Sequence, residues 1–167
     1  MGRSDYIGGR GETIASARLS EICRTDVNLP YFWPHFLGEK CETFDFFVKL
    51  VDVGDETPFF FVQVKTTRKG YTKRTRPPRL RVEVSKRNVL RMASFPAPTY
   101  LIGVHEVEER AFIIAVTEVR SRSISSMTTA YELTNTTLRQ LWEEVQEFWR
   151  DREMTRRHSF FSDRGDP

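Results

Sequence analysis

Cysteine is scarce in this chain: Cys23 and Cys41 are the only two among 167 residues. Two thiols make neither the disulfide framework of a small secreted domain nor a Cys/His metal set. The three histidines, His35, His105 and His158, are scattered without ligand spacing, which favours surface or core roles over zinc. His35 alone, within an aromatic stretch, is a candidate accessory group. No apolar run approaches the roughly 18 residues that a membrane span requires. The segment from Met1 to Glu12 is polar and glycine-rich, without a signal-peptide core. Tyr6 stands where a myristoylation signal wants Ser or Thr. Neither an internal repeat nor an interdomain linker is present. What the chain does have is 39% hydrophobic residues, including 13 Phe, 5 Tyr and 3 Trp, enough to fill a core. The expectation is one soluble cytoplasmic domain over residues 1–153, with a flexible tail at 154–167.

Charge is unevenly placed although the net value is only +3. Between Lys65 and Arg91 there are eleven Lys or Arg and one acid, Glu83. Between Glu39 and Glu56 there are six acids against Lys40 and Lys49. A basic block beside an acidic one suggests a polyanion-binding surface next to a site that holds carboxylates. The plainer reading is a solvated, charged loop.

Periodicity predicts the elements. Ala15, Leu19 and Ile22 give helical spacing over Glu12 to Arg24. Asn28 to Gly38, broken by two prolines, reads as an aromatic loop packed on the core. Phe44 to Val53 and Phe59 to Thr67 are β-rich runs around turn residues Gly54, Asp55 and Pro58, hence a hairpin. Arg68 to Arg79 reads as a loop or flap, Leu80 to Val84 as a short strand, and Ser85 to Ser94 as a short helix capped by Ser85. Thr99 to His105 and Ala111 to Thr117 form a second hairpin around Glu108, Glu109 and Arg110. Ser121 to Ser126 reads as a loop. Asn135 to Arg152 is the clearest helix, with Leu138, Leu141, Trp142, Val145, Phe148 and Trp149 on one stripe. That stripe is core or a dimer surface. Together these predict an α/β (α+β) domain: a mixed, mostly antiparallel sheet of about five strands, with the Glu12 helix on one side and the Asn135 helix as a cover.

Three positions carry the chemistry. Alternation puts Phe59, Phe61, Gln63 and Lys65 on one face of their strand. A lysine on an apolar strand is costly to bury without a partner. Asp45 is the matching oddity on the preceding strand. A hairpin centred on Gly54 sets Asp45 opposite Gln63; one centred on Glu56 sets it opposite Thr67. Both keep Asp45, Gln63 and Lys65 on one face. Glu12 extends the apolar stripe of its helix, and Gly8, Gly9 and Gly11 before it allow close backbone approach. Such a pocket suits a hard divalent cation, which needs one or two carboxylates and an amide or carbonyl oxygen. Asp45, Glu12, the Gln63 oxygen and the Val64 carbonyl are the candidate ligands for Mg²⁺ or Mn²⁺. Lys65 would orient the attacking water and stabilise the transition state. Arg68, Lys69, Lys73, Arg74 and Arg76 would track phosphates, with Tyr71 as a base-stacking candidate. The competing reading of the pocket is a buried ion pair of Asp45 with Lys65.

The series Gly11-Glu12, Phe44-Asp45-Phe46 and Val62-Gln63-Val64-Lys65-Thr66 resembles the PD-(D/E)XK nuclease superfamily, which has the restriction-endonuclease-like fold. Within it, the chain is most similar to the bacterial domain of unknown function 4365 family. The resemblance covers about residues 8 to 120, including the stretch from Val84-Ser85-Lys86 to Gly103-Val104. It implies a Mg²⁺-dependent nuclease acting on DNA, less often RNA, with Glu12, Asp45, Gln63 and Lys65 in the catalytic positions. It also implies work as a homodimer and a setting in bacterial defence, with a protein partner there, or in DNA processing. Gln63 stands where Glu or Asp is commoner, so the alternative is a nuclease-fold module that binds nucleic acid or a protein without cutting. Tyr6-Ile7-Gly8 echoes half of another nuclease motif but lacks its partner tripeptide, and no Gly-Lys-Ser/Thr follows the early glycines to make a phosphate-binding loop.

Overall fold

The computed structural model describes residues 3–38, 41–54, 56–116, 122–150 and 152. The expected tail at 154–167, with His158, and the residues Asp55, Thr117 and Ser121 lie outside them. Ten elements follow one another: α1 (Arg3–Leu19), β1 (Phe32–Phe36), β2 (Phe46–Leu50), β3 (Phe59–Thr67), β4 (Arg79–Leu80), α2 (Lys86–Ala93), β5 (Thr99–His105), β6 (Arg110–Ala115), β7 (Met127–Thr128) and α3 (Asn135–Arg150). Five strands form one mixed sheet in the order β1-β2-β3-β5-β6, and β4 pairs with β7 in a separate two-stranded sheet. Only β3 and β5 run parallel in the main sheet; its other pairs are antiparallel. A parallel pair needs a long crossover, supplied here by the basic loop, β4 and α2.

Alternation along the strands separates two cores. Phe46, Val48, Phe60, Val62, Val64, Tyr100, Ile102 and Val104 pack with Ala15 and Leu19 of α1 and with Leu138, Leu141 and Val145 of α3. Each such large side chain stabilises the fold by about 1.5–3 kcal/mol on burial. The opposite face carries Leu101, Phe112 and Ile114, covered by Val89 and Met92 of α2 and by Leu80 and Met127 of the small sheet. Thus α1 and α3 share one face of the sheet. The indole N–H groups of Trp142 and Trp149 donate to Val51 O (3.2 Å) and Phe59 O (2.7 Å), so the stripe of α3 is spent on this chain's own core. Ser85 caps α2, its hydroxyl accepting the Asn88 N–H at 3.2 Å, a contact of about 1 kcal/mol.

Two local expectations are corrected. Helix α1 starts at Arg3 and stops at Leu19, so the three glycines lie inside it and residues 20–24 do not. Packing on the sheet outweighs the poor helix propensity of glycine. The aromatic segment before Gly38 is an edge strand, not a loop. Leu37 N–H donates to Asp45 O at 2.9 Å, so in the two-residue alternation Pro34 faces its missing N–H away from β2, as edge strands permit. Trp33, expected against the core, is 65% exposed.

Candidate active site

The β2–β3 hairpin settles its register with Phe46 opposite Val62 and Phe47 opposite Phe61, the pairing centred on Gly54. Beyond Val62 the two strands part. Asp45 N–H donates to Val62 O at 2.9 Å, and one Asp45 carboxylate oxygen accepts the Val64 N–H at 2.6 Å. The side chain therefore takes the place of the backbone acceptor that β2 no longer offers. On β3, Phe61 N–H reaches Pro98 O, and Thr67 O accepts Glu106 N–H, both on the β5 side. Alternation then turns the N–H and C=O of Val62, Val64 and Thr66 toward the β2 side. The Val64 carbonyl thus points into the fork between the strands.

Gln63 is 3% exposed. Its side-chain amide donates to Thr43 O at 2.9 Å, while its Oε1 is buried with no hydrogen-bond partner. An orphaned buried oxygen costs about 1–3 kcal/mol. Asp45 is half-buried, and burial pushes its carboxyl above the ordinary range; the Val64 hydrogen bond and the nearby Lys65 ammonium pull it part of the way back. Lys65 acts on it through space rather than through a hydrogen bond, so the tight Asp45–Lys65 ion pair of the competing reading is not formed.

Helix α1 reaches the fork through Gly11. A Cβ at that position would lie 2.7 Å from Thr66 Cβ and 2.8 Å from Thr66 Cγ2, and closer still to Thr66 Oγ1. The backbone of α1 therefore lies directly on β3, one residue past Lys65. Glu12, the next residue of the helix, borders Phe46, one residue past Asp45, in a groove of about 470 Å³ that Gly9, Thr13, Ser16 and Phe36 also line. Two further cavities, of about 370 and 320 Å³, lie against α3 and contain none of the predicted site residues. Asp45 and Val64 thus meet at the fork, with Gln63 and Lys65 flanking Val64 on β3, while Glu12 lines the neighbouring groove on the α1 side. The Thr43 carbonyl and Thr66 escaped the sequence reading, since neither is chemically distinctive until the strands are placed.

The basic segment divides. Arg68 forks both oxygens of the buried Glu106 at 2.5 and 2.8 Å, and Lys69 pairs with Glu83 at 2.9 Å. Tyr71 donates to Glu108 at 2.6 Å and stacks on His105, with centroids 5.2 Å apart. Burial and that carboxylate push its phenol up to about 12. Arg68 and Tyr71 are engaged within the fold, whereas the Lys69–Glu83 pair lies at the surface. Lys73, Arg74 and Arg76 are exposed, and among the described residues none of them forms an ion pair, which leaves them as the accessible cations of the loop.

The donor set fits a hard cation. Two carboxylates, an amide oxygen without a partner and a carbonyl at a strand fork are what a partly hydrated Mg²⁺ accepts. Among the described residues no group of three or more His, Cys, Asp or Glu is placed to share an ion. No helix among the described residues is long and apolar enough to cross a membrane. No protein-family model, curated protein or solved structure matches the chain.

Proposed function

We propose that the fork is the active site of a Mg²⁺- or Mn²⁺-dependent nuclease of the PD-(D/E)XK type, hydrolysing phosphodiester bonds of DNA. The observation that carries the reading is the buried, unpartnered Gln63 Oε1 close to the half-buried Asp45 carboxylate, whose pKa burial raises. Both groups are costly as they stand, and both gain from one cation. Asp45, Glu12, Gln63 Oε1 and the Val64 carbonyl would hold it. When bound, the ion supplies Lewis-acid polarisation of the phosphate and a lowered pKa for a coordinated water. The chain's own residues do the rest. The Val64 N–H fixes the Asp45 carboxylate in one orientation. The Gln63–Thr43 hydrogen bond fixes the amide so that Oε1 cannot swing away. The Lys65 ammonium donates toward charge that builds on the phosphate oxygens, and Lys73, Arg74 and Arg76 hold the strand by its backbone.

The test is incubation of purified protein with plasmid and with single-stranded DNA in Mg²⁺ or Mn²⁺. Asp45→Ala and Lys65→Ala should abolish cleavage while DNA binding persists. Cleavage by either variant at the parent rate refutes the assignment. A second reading, a nuclease-fold module that binds without cutting, is favoured by Gln63 supplying a neutral oxygen where a third acid would strengthen metal binding. In that case binding is unchanged in EDTA and no substrate is cut.

A further inference from the structure

The sheet face that carries Phe47 and Lys49 of β2 is left exposed over β1 and β2, and it is aromatic. Cross-strand register sets His35 beside Phe47 beside Phe61 in one row, and Trp33 beside Lys49 beside Phe59 in the next. Asp45 lies in the bend just before β2, two residues before Phe47 in the chain. The Trp33 and His35 rings lie parallel within 3°, with centroids 5.9 Å apart. His35 contacts Phe47, Phe47 contacts Phe61, and Phe61 meets Phe95, itself 40% exposed. Helices α1 and α3 pack chiefly on the opposite face, against Phe46, Val48, Phe60 and Val62, with Trp149 of α3 reaching Phe59 at the platform's edge, centroids 4.5 Å apart. Two cations accompany the rings: Lys49, exposed with its ammonium 5.9 Å from the Phe47 centroid, and Lys65 at the fork.

We propose that this platform takes the bases of an unpaired nucleic-acid strand, holding them on Trp33, His35 and Phe47 while the adjoining phosphate enters the fork. The proposal rests on the nuclease reading and narrows its substrate to single strands or locally opened duplex. Exposed ring faces in register stack on any base, and a duplex keeps its bases stacked on each other and out of reach. Lysines beside the rings complement the phosphate charge. The lysines beside the rings favour an anionic occupant over a second copy of this chain, whose own net charge is +3.

Tryptophan emission tests this in EDTA, where nothing can be cut. Trp142 and Trp149 are partly buried and hydrogen-bonded, so the exposed Trp33 reports on the platform. Oligothymidylate or oligouridylate should quench the emission saturably, and a hairpin duplex should not. Trp33→Ala should remove the quenching and raise the dissociation constant, measured by anisotropy of a labelled oligomer, about 5- to 150-fold. Trp33→Phe, which keeps a ring face, should restore most of the affinity. Equal binding of duplex and single strand, or unchanged affinity in Trp33→Ala, overturns the proposal. So does a dimer that Trp33→Ala dissociates without altering oligomer binding. Failure here with plasmid still cut in Mg²⁺ leaves the nuclease reading standing; single-strand binding without any metal-dependent cleavage sinks that reading and spares the platform.

Discussion

Gly9 and Gly11 are two residues apart in α1, yet replacing each by alanine should have opposite effects. Nothing lies within 4 Å of a Cβ built on Gly9, so Gly9→Ala gains helix propensity of about 1 kcal/mol. At Gly11 the same gain is opposed by Thr66. Turning the threonine about χ1 moves its Oγ1 and Cγ2 but not its Cβ, which is itself 2.7 Å from the new methyl. Helix and strand must separate, and overpacking of this kind costs about 1–3 kcal/mol. With a cost near the top of that range, the net loss for Gly11→Ala is about 1–2 kcal/mol. For a chain of this size that is a fall in Tm of about 2–8 °C, against a rise for Gly9→Ala. Circular dichroism melts of the two variants read the difference directly. Thr66→Ala in the Gly11→Ala background removes two of the three close atoms and should recover part of the loss. Nuclease activity should fall in Gly11→Ala as well, because the displaced turn carries Glu12. A Gly11→Ala protein as stable as Gly9→Ala would show that α1 does not lie on β3 as described.

Two further outcomes are expected. Burial raises the Asp45 pKa above its unfolded value, so between the two values the folded chain binds more protons; stability is fully present below the unfolded pKa and is lost as pH rises through the folded one. Asp45→Asn keeps an acceptor for the Val64 N–H without the charge, and should melt higher than the parent at pH 7 in EDTA, the gap closing in acid. Mg²⁺ at about ten times its dissociation constant should then add about 1.4 kcal/mol to the parent and nothing to the variant; a variant less stable than the parent at neutral pH contradicts the buried-charge argument. Replacing Lys73, Arg74 and Arg76 by Gln should flatten the dependence of log K on log salt for single-stranded DNA by about 2, at roughly 0.7 per lost contact. Arg68→Gln, drawn from a cation engaged with Glu106, should change that slope far less, and equal slopes for the two variants would show that the loop's free cations do not carry the phosphates.

The limits of β3 and β5, and the cap and stripe of α2 and α3, were readable from the chain alone. Each depends on a period of two or 3.6 residues and on neighbours a few positions away. So was a mixed, mostly antiparallel sheet of about five strands, although not that β3 and β5 form its parallel pair, which a long crossover permits without requiring. The placing of Gln63 and Lys65 on one face of β3 also followed from alternation, whichever hairpin register holds. What only the tertiary structure decided was which register holds, that the strands part after Val62, and that Gln63 keeps a buried oxygen without a partner. It also decided that α1 runs through three glycines to rest on Thr66, and that Arg68, Lys69 and Tyr71 are engaged by acids distant in sequence. Those outcomes depend on contacts between segments tens of residues apart. A local pattern records which faces are apolar; it carries no information on which segment comes to lie against them.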